Sequence, residues 1–221
     1  MIAIHQPNYL PWLGFFDKAR LADTFVLLDN VPYTRGSIIN RNKIKTKKGW
    51  KWLTVPVHNI SGTIIRDITT IDSGWEKSHW KTLIFNYSRA PHFKDFSTAL
   101  QETYAKRWVK LAELNETLIR MMFNWLGLHP NLVKASDLAV QGSSSELLVN
   151  ICKAVGDRTY LSGVGAKDYF DQSVFEREGV TVKFQDFSSP EYSQRFGRFI
   201  PALSAIDYLF NGGTTKWWPQ S

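Results

Sequence analysis

The first thirty residues alternate between apolar runs and one amphipathic segment, a pattern that restricts the chain to few folds. Residues 1–5 and 24–29 (TFVLLD) each predict a short buried strand. Between them, Pro7 and Pro11 predict a loop, because proline fixes φ and lacks an N–H donor, and residues 12–21 fit a helix. A strand, a loop, a helix and a second strand are typical of a βαβ unit with parallel, buried strands.

The rest of the chain extends this unit with further strands and helices. Alternation of apolar and polar residues predicts a strand at 50–57, and residues 131–134, 159–162 and 180–184 also fit short strands. Helical periodicity predicts helices at 75–87, 111–126, 145–155 and 201–210, and residues 32–48 have the composition of a basic loop. We therefore predict a single α/β domain over residues 1–221. It has a Rossmann-like, mostly parallel sheet and a helical insertion, a helical layer at roughly 75–127.

One segment accounts for the basic character of the chain. The net charge is +7, from 27 lysines and arginines against 20 acidic residues, yet no acidic residue lies between Asp29 and Asp67. The cations in that interval are Arg35, Arg41, Lys43, Lys45, Lys47, Lys48, Lys51 and Arg66. A charge of this size by itself suggests nucleic acid or a membrane. Because this basic segment lies directly after the βαβ unit, we expect it to form one wall of a pocket for a phosphorylated ligand.

Other features narrow the class of protein. Cys152 is the single cysteine, which excludes an internal disulfide and a multi-cysteine metal site, and its apolar neighbours indicate a buried side chain. No apolar run approaches the ~20 residues that cross a bilayer, so we predict no transmembrane segment. The N-terminus lacks the features of a signal peptide. We expect a soluble, cytoplasmic protein, for which a peripheral membrane contact stays open.

Polar residues cluster where the first predicted strand ends. In open α/β sheets ligands bind beyond the carboxyl ends of strands, where helix N-termini favour phosphate or carboxylate groups. The candidate residues of this loop are His5, Gln6, Asn8 and Tyr9. The alternative is that the prolines only shape a rigid turn and that His5 has a structural role.

Asp29 ends the second predicted strand, so it could face His5 across two adjacent strand ends. Either side chain could orient a hydroxyl group or act as a general base. Alternatively, Asp29 only caps the turn before Pro32. The sequence leaves both roles open.

The basic segment offers candidates for binding an anion. Arg41 can grip a phosphate or carboxylate with two hydrogen bonds, with Asn40 and Lys45 beside it. The ligand could instead be nucleic acid, since Trp50 and Trp52 follow closely and bases stack on aromatic rings. Against this, both Trp residues fall in a predicted strand and no recognised nucleic-acid motif is present.

A second turn of small residues (SGVGA) follows the strand predicted at 159–162 and contributes Ser162 and Asp168 as candidate substrate-binding residues. Its glycines let a ligand approach the backbone closely. The turn is too short for a Walker A loop, and no Ser/His/Asp signature supports a hydrolase. The five histidines show no metal-ligand spacing, so we predict no metal site.

Several stretches in order along the chain resemble the WbqC-like protein family. They are residues 5–16 (HQPNYLPWLGFF), 22–29 (ADTFVLLD), 40–46 (NRNKIKT), 52–57 (WLTVPV), 160–163 (YLSG) and 209–212 (LFNG). The segment Ser37-Ile38-Ile39 departs from the family, where an aromatic residue is common. The resemblance implies a role in O-antigen (lipopolysaccharide) or other surface-polysaccharide biosynthesis and suggests a glycine (aminoacyl) transferase. It assigns no catalytic residue.

The leading hypothesis is therefore a transferase that moves a glycyl or related acyl group onto an amino or hydroxy sugar. We expect His5, or alternatively Asp29, to be the base, and Gln6 and Asn8 to stabilise the oxyanion. Arg41 and Lys45 would hold phosphates. The expected partner is a phosphorylated or carrier-linked sugar. The sequence does not identify a cofactor: a nucleotide or nucleotide-activated donor is one candidate, and the only nucleic-acid partner considered under this hypothesis is a charged tRNA donor.

Two rival hypotheses assign the protein to other functional classes. One is a nucleotidyl- or adenylate-forming transferase, because the strand, proline-rich loop and helix also resemble pantothenate synthetase. The paired histidines of that family are missing, since Trp12-Leu13-Gly14-Phe15 stands in their place. The other is a non-catalytic nucleic-acid-binding protein built on the basic segment, which predicts steeply salt-dependent binding.

Overall fold

The computed structural model describes residues 1–58, 61–163, 165, 171–214 and 217. The chain divides into two compact units, each built from three separate stretches. Unit 1 comprises Met1–Pro7, Gly14–Val31 and Leu128–Ser188. Unit 2 comprises Asn8–Leu13, Pro32–Gly127 and Ser189–Ser221. A single domain over residues 1–221 stays a prediction.

Strands and helices alternate at both ends of the chain, and helices fill its middle. The N-terminal elements are β1 (Ile2–His5), α1 (Leu13–Arg20), β2 (Thr24–Leu27), β3 (Arg41–Thr46), β4 (Gly49–Thr54), β5 (Val57–His58) and β6 (Thr69–Thr70). The middle helices are α2 (Trp75–Tyr87), α3 (Phe93–Ala105) and α4 (Leu111–Trp125). The C-terminal elements are β7 (Asn131–Lys134), α5 (Ser144–Val155), β8 (Thr159–Ser162), α6 (Gln172–Arg177), β9 (Thr181–Phe184) and α7 (Ala205–Gly212). Short 3₁₀ turns lie at Ile65–Asp67 and Ala135–Asp137.

Unit 1 is built on a five-stranded parallel sheet in the order β7-β2-β1-β8-β9. The register aligns His5 with Leu27 across β1 and β2, and Ile2 with Tyr160 across β1 and β8. Numbered along the chain within this sheet, the order is 3-2-1-4-5, as in dinucleotide-binding folds. The predicted βαβ start and the Rossmann-like α/β fold are confirmed.

Apolar side chains of the unit 1 strands pack against α5 and α6. Ile2, Val26 and Ile151 are fully buried in this core, together with Cys152. Burial raises the pKa of the Cys152 thiol to about 12, so the side chain is inert at neutral pH. This agrees with the expected core role of the cysteine.

Unit 2 combines the β3–β4 hairpin, the β5–β6 pair and helices α2, α3, α4 and α7. Its helices pack through aromatic rings. Phe210 of α7 contacts Tyr87 and Phe93, with ring centroids 5.0 Å apart in each pair. Helices α2, α3 and α4 provide the predicted helical insertion.

Several predicted boundaries are wrong, each for a physical reason. The stretch predicted as a basic loop contains β3, whose alternation is disguised because the polar residues Asn42 and Lys45 are buried in it. The single strand predicted at 50–57 is divided at Pro56, which has no N–H to donate. The last helix begins at Ala205 rather than at 201, because the Ser204 side chain caps it. Helix α3 was not predicted as a separate element.

No helix in the described part of the chain has the length and apolar character needed to span a bilayer.

Candidate functional site

The order in which the chain adds strands to the parallel sheet of unit 1 reverses between β1 and β8. After β1 the chain builds outward through β2 to β7, and it then returns to the other side of β1 with β8. Ligands of open α/β sheets bind outside the carboxyl ends of the strands at such a reversal. His5 ends β1 and Ser162 ends β8. We call His5, Gln6, Ser162 and Gly163 the switch-point site.

His5 is half-buried, and its environment keeps the imidazole neutral. Nδ1 lies 2.9 Å from the carbonyl oxygen of Gln6. Because a carbonyl oxygen only accepts hydrogen bonds, Nδ1 carries the proton and Nε2 carries the lone pair. Burial, helped by the charge of Lys18, lowers the His5 pKa to about 4. The described residues make no hydrogen bond to Nε2, which is therefore available as a base.

Lys18 is a buried cation of unit 1 that is not among the site residues predicted from the sequence. Its side chain is on α1, is 3% exposed and donates from Nζ to the carbonyl oxygen of Ile4 at 2.8 Å. The ammonium lies 5.7 Å from the centre of the Tyr160 ring. Burial lowers the Lys18 pKa to about 7. The available signal was its place in the apolar α1 sequence, beside Phe15, Phe16 and Ala19.

Asp29 is buried, and both of its carboxylate oxygens accept hydrogen bonds from Ser136. The backbone N–H of Ser136 donates to Oδ1 at 2.9 Å, and its hydroxyl donates to Oδ2 at 2.7 Å. The carboxylate thus holds the 3₁₀ turn that follows β7. This geometry favours a capping role, although the turn that Asp29 holds is this one rather than the predicted turn before Pro32.

The end of β8 contributes one buried hydroxyl and a glycine, Gly163, that no described atom crowds. Ser162 is fully buried, and its hydroxyl lies 3.4 Å from the carbonyl oxygen of Gly163. A Cβ atom built on Gly163 or Gly165 would meet no described atom within 4 Å, so the described residues leave space beside the backbone at these two glycines. Asp168, the other candidate of this turn, lies outside the described residues.

Three further candidates, Asn8, Tyr9 and Asn40, are buried in unit 2. The Tyr9 hydroxyl hydrogen-bonds to Tyr104 and lies 2.8 Å from Nδ1 of His79. The Asn40 amide donates to the carbonyl oxygen of Val55 at 2.8 Å. These contacts give Tyr9 and Asn40 structural partners, so their expected roles as ligand-binding residues stay predictions.

Arg41 lines a cavity of unit 2 with a volume of about 510 Å³. The guanidinium carbon lies 4.4 Å from the centre of the Trp52 ring, and the group donates to the carbonyl oxygen of Gly36. The described lining of this Arg41 cavity also includes Arg35 and Tyr33, but no carboxylate. Two arginines in a described lining without a carboxylate suit an anionic group, and the anion-binding role of Arg41 stays a prediction.

Lys45 faces the interior of unit 2. Its side chain is buried, and Nζ donates to Oε1 of Gln194 at 3.1 Å and to the carbonyl oxygen of Arg198. Burial lowers its pKa, and the nearby carboxylate of Asp207 partly opposes that shift. These partners do not favour the predicted grip of Lys45 on a ligand phosphate, because the amine is already held by the protein.

Comparison with known proteins gives a family assignment. The model of the WbqC-like protein family matches residues 6–217. The uncharacterized protein Rv1507c of Mycobacterium tuberculosis (strain ATCC 25618 / H37Rv) is 37% identical over 217 residues, covering 96% of this chain and 94% of its own length. No solved structure matches. The chain therefore belongs to the WbqC-like protein family.

Proposed function

We propose that this protein is a transferase in which neutral His5 is the general base. The observation that carries the proposal is the state of the imidazole: at the reversal point of the sheet, Nδ1 is committed to the Gln6 carbonyl and Nε2 is left with its lone pair. A lowered pKa keeps His5 unprotonated at neutral pH. An anionic substrate nearby would raise that pKa towards the range in which a base is most effective.

The reaction is the transfer of a glycyl or related acyl group to an amino or hydroxy sugar. His5 Nε2 takes the proton of the acceptor N–H or O–H while the nitrogen or oxygen attacks the acyl carbonyl carbon. The resulting oxyanion is stabilised by the amide of Gln6 and by backbone N–H groups of the switch-point site. The leaving group then departs with the electron pair of the broken acyl bond, and His5 returns the proton to it.

The biological setting follows from the family resemblance rather than from the site. A sugar carried on a phosphorylated carrier, destined for O-antigen or another surface polysaccharide, is the acceptor we propose. The glycyl donor must carry a good leaving group, such as an adenylate, a thioester or a tRNA ester.

Binding and turnover experiments test this proposal together. Thermal-shift measurements with nucleotide sugars, nucleotides and amino acids identify the ligands, since a bound ligand stabilises the folded state. Mass spectrometry of the acylated sugar measures turnover. His5→Ala should reduce kcat by at least about 100-fold, the usual contribution of a general base. His129→Ala, at an exposed histidine of the same unit, is the matched control and should keep the wild-type rate. Wild-type turnover in His5→Ala would remove His5 from the mechanism.

The strand order favours a second candidate, a nucleotidyl- or adenylate-forming transferase. A sheet of order 3-2-1-4-5 commonly binds a nucleotide at its reversal point. This activity predicts pyrophosphate release from ATP or CTP in the presence of Mg²⁺. Acyl transfer without pyrophosphate release from a preformed glycyl donor would exclude it.

A further inference from the structure

A second and larger cavity of unit 2, of about 920 Å³, lies between the β3–β4 hairpin and α2. The hairpin contributes its turn and the start of β4, and α2 contributes one exposed face. The lining includes Lys47, Lys48, Trp50, Lys51, Lys77, Lys81 and Phe85. We call these residues the lysine groove.

The groove has charge of one sign. All five lysines are exposed, and its described lining contains no carboxylate. Lys77 and Lys81 are four residues apart, so they lie on the same face of α2. Because the cations converge from two elements and lack acidic partners within the groove, it is suited to an anionic surface or ligand.

The same face exposes large apolar side chains. Phe85 is 84% exposed, although it is an aromatic residue with no polar atom to place in water. Trp50 is 47% exposed, and Ile84, next to Phe85 on α2, is 38% exposed. Lysines around exposed aromatic and aliphatic groups are typical of surfaces that lie in the headgroup region of a membrane.

The contacts of Trp50 argue for lipid rather than nucleic acid. The Lys43 ammonium lies over the Trp50 ring, 4.5 Å from its centre, and Trp52 meets the ring nearly at right angles with centroids 5.8 Å apart. A base that stacks on Trp50 would compete with these groups. A tryptophan that lies in the headgroup region of a membrane does not need a free ring face, whereas a stacked base does. The cations of the groove are also all lysines, whereas recognition of nucleic acids commonly uses arginine.

We propose that the lysine groove docks this protein on a bilayer that contains anionic phospholipids. The lysines contact lipid phosphates, and Phe85 and Trp50 enter the headgroup region. This inference is independent of the proposed transferase activity, because it concerns only unit 2 and makes no use of His5.

Vesicle co-sedimentation with the full chain tests the proposal. The wild-type protein should bind vesicles of phosphatidylcholine mixed with phosphatidylglycerol, and not vesicles of phosphatidylcholine alone. Lys77→Glu/Lys81→Glu should weaken binding by about 30-fold or more, since each cation near an anionic surface contributes roughly fivefold. Phe85→Ser should bind more weakly than the wild type to vesicles with the same content of phosphatidylglycerol.

The matched control is Lys94→Glu/Lys106→Glu, which makes the same charge change at two exposed lysines of unit 2 outside the groove. It should bind nearly as well as the wild type, and circular dichroism establishes that every variant is folded. The proposal is wrong if the wild type does not bind anionic vesicles, or if the control loses as much binding as the groove variant. It is also wrong if a single-stranded oligonucleotide displaces the protein from vesicles at equal phosphate concentration.

Discussion

Replacing Lys18 by Met should raise the free energy of unfolding at neutral pH, and the gain should shrink as the pH rises. The folded protein holds the lysine amine at a pKa of about 7, whereas the ordinary value is 10.5. Between these two values the unfolded chain binds more protons than the folded one. The unfavourable contribution of Lys18 to the free energy of unfolding therefore becomes smaller as the pH rises through this window, because the unfolded chain loses the extra proton that it binds.

The size of the effect follows from the two pKa values. Between pH 7 and pH 9 the wild type should gain about 2 kcal/mol that Lys18→Met does not gain. At pH 7 the variant escapes a cost of about 4 kcal/mol, but it leaves the Ile4 carbonyl without its partner, which costs about 1–3 kcal/mol. We expect a net stabilisation at pH 7 and near equality at pH 9.

Urea unfolding at the two pH values measures this difference. With a slope of about 2–3 kcal/mol per molar urea, the gap between the two midpoints should change by about 1 M. Lys106→Met, at an exposed lysine, should keep a constant offset from the wild type. If the gap between Lys18→Met and the wild type is the same at pH 7 and pH 9, Lys18 is not buried as described.

Three other substitutions test particular contacts. Asp29→Ala should lower the free energy of unfolding by about 2–3 kcal/mol, because Ser136 loses the acceptor of two hydrogen bonds; an unchanged urea midpoint would contradict its capping role. Tyr87→Phe removes a hydroxyl that donates to Asp207 and accepts from the backbone at 2.7 Å each, and it should cost about 2–3 kcal/mol in the same assay. Arg41→Ala should raise the Kd for a phosphorylated sugar at least about tenfold by calorimetry, with a modest fall in melting temperature from the lost contacts to Trp52 and Gly36; unaltered affinity would argue against an anion site in the Arg41 cavity.

The sequence predicted β1, β2 and β8 of unit 1 well because nearly all their residues are buried. Such strands are continuous apolar runs, and β8 was predicted with the bounds that it has. Strand β3 escaped prediction because its buried side chains include Lys45. The partners that make this burial tolerable, Gln194 and Arg198, are 149 and 153 positions away along the chain. Only the folded chain brings them to the amine.

The candidate site was predictable to the extent that strand ends determine it. His5 could be selected because a polar residue follows an apolar run at the end of a parallel strand. The role of Asp29 could not be chosen, since Ser136 lies 107 positions further on. Lys18 was missed because its burial depends on how α1 packs against the sheet, and a lysine in a helix is usually exposed.

The position of β1 inside the sheet has a consequence for synthesis of the chain. One neighbour, β2, follows closely, but Ile2 pairs on the other side with Tyr160 of β8. At about 5–20 residues per second, β8 emerges from the ribosome roughly 8–30 s after β1. During that interval one edge of an apolar strand has no partner and can pair with other chains. Nascent chains that stop before β8 should therefore aggregate or depend on chaperones, whereas release of the whole chain closes the sheet.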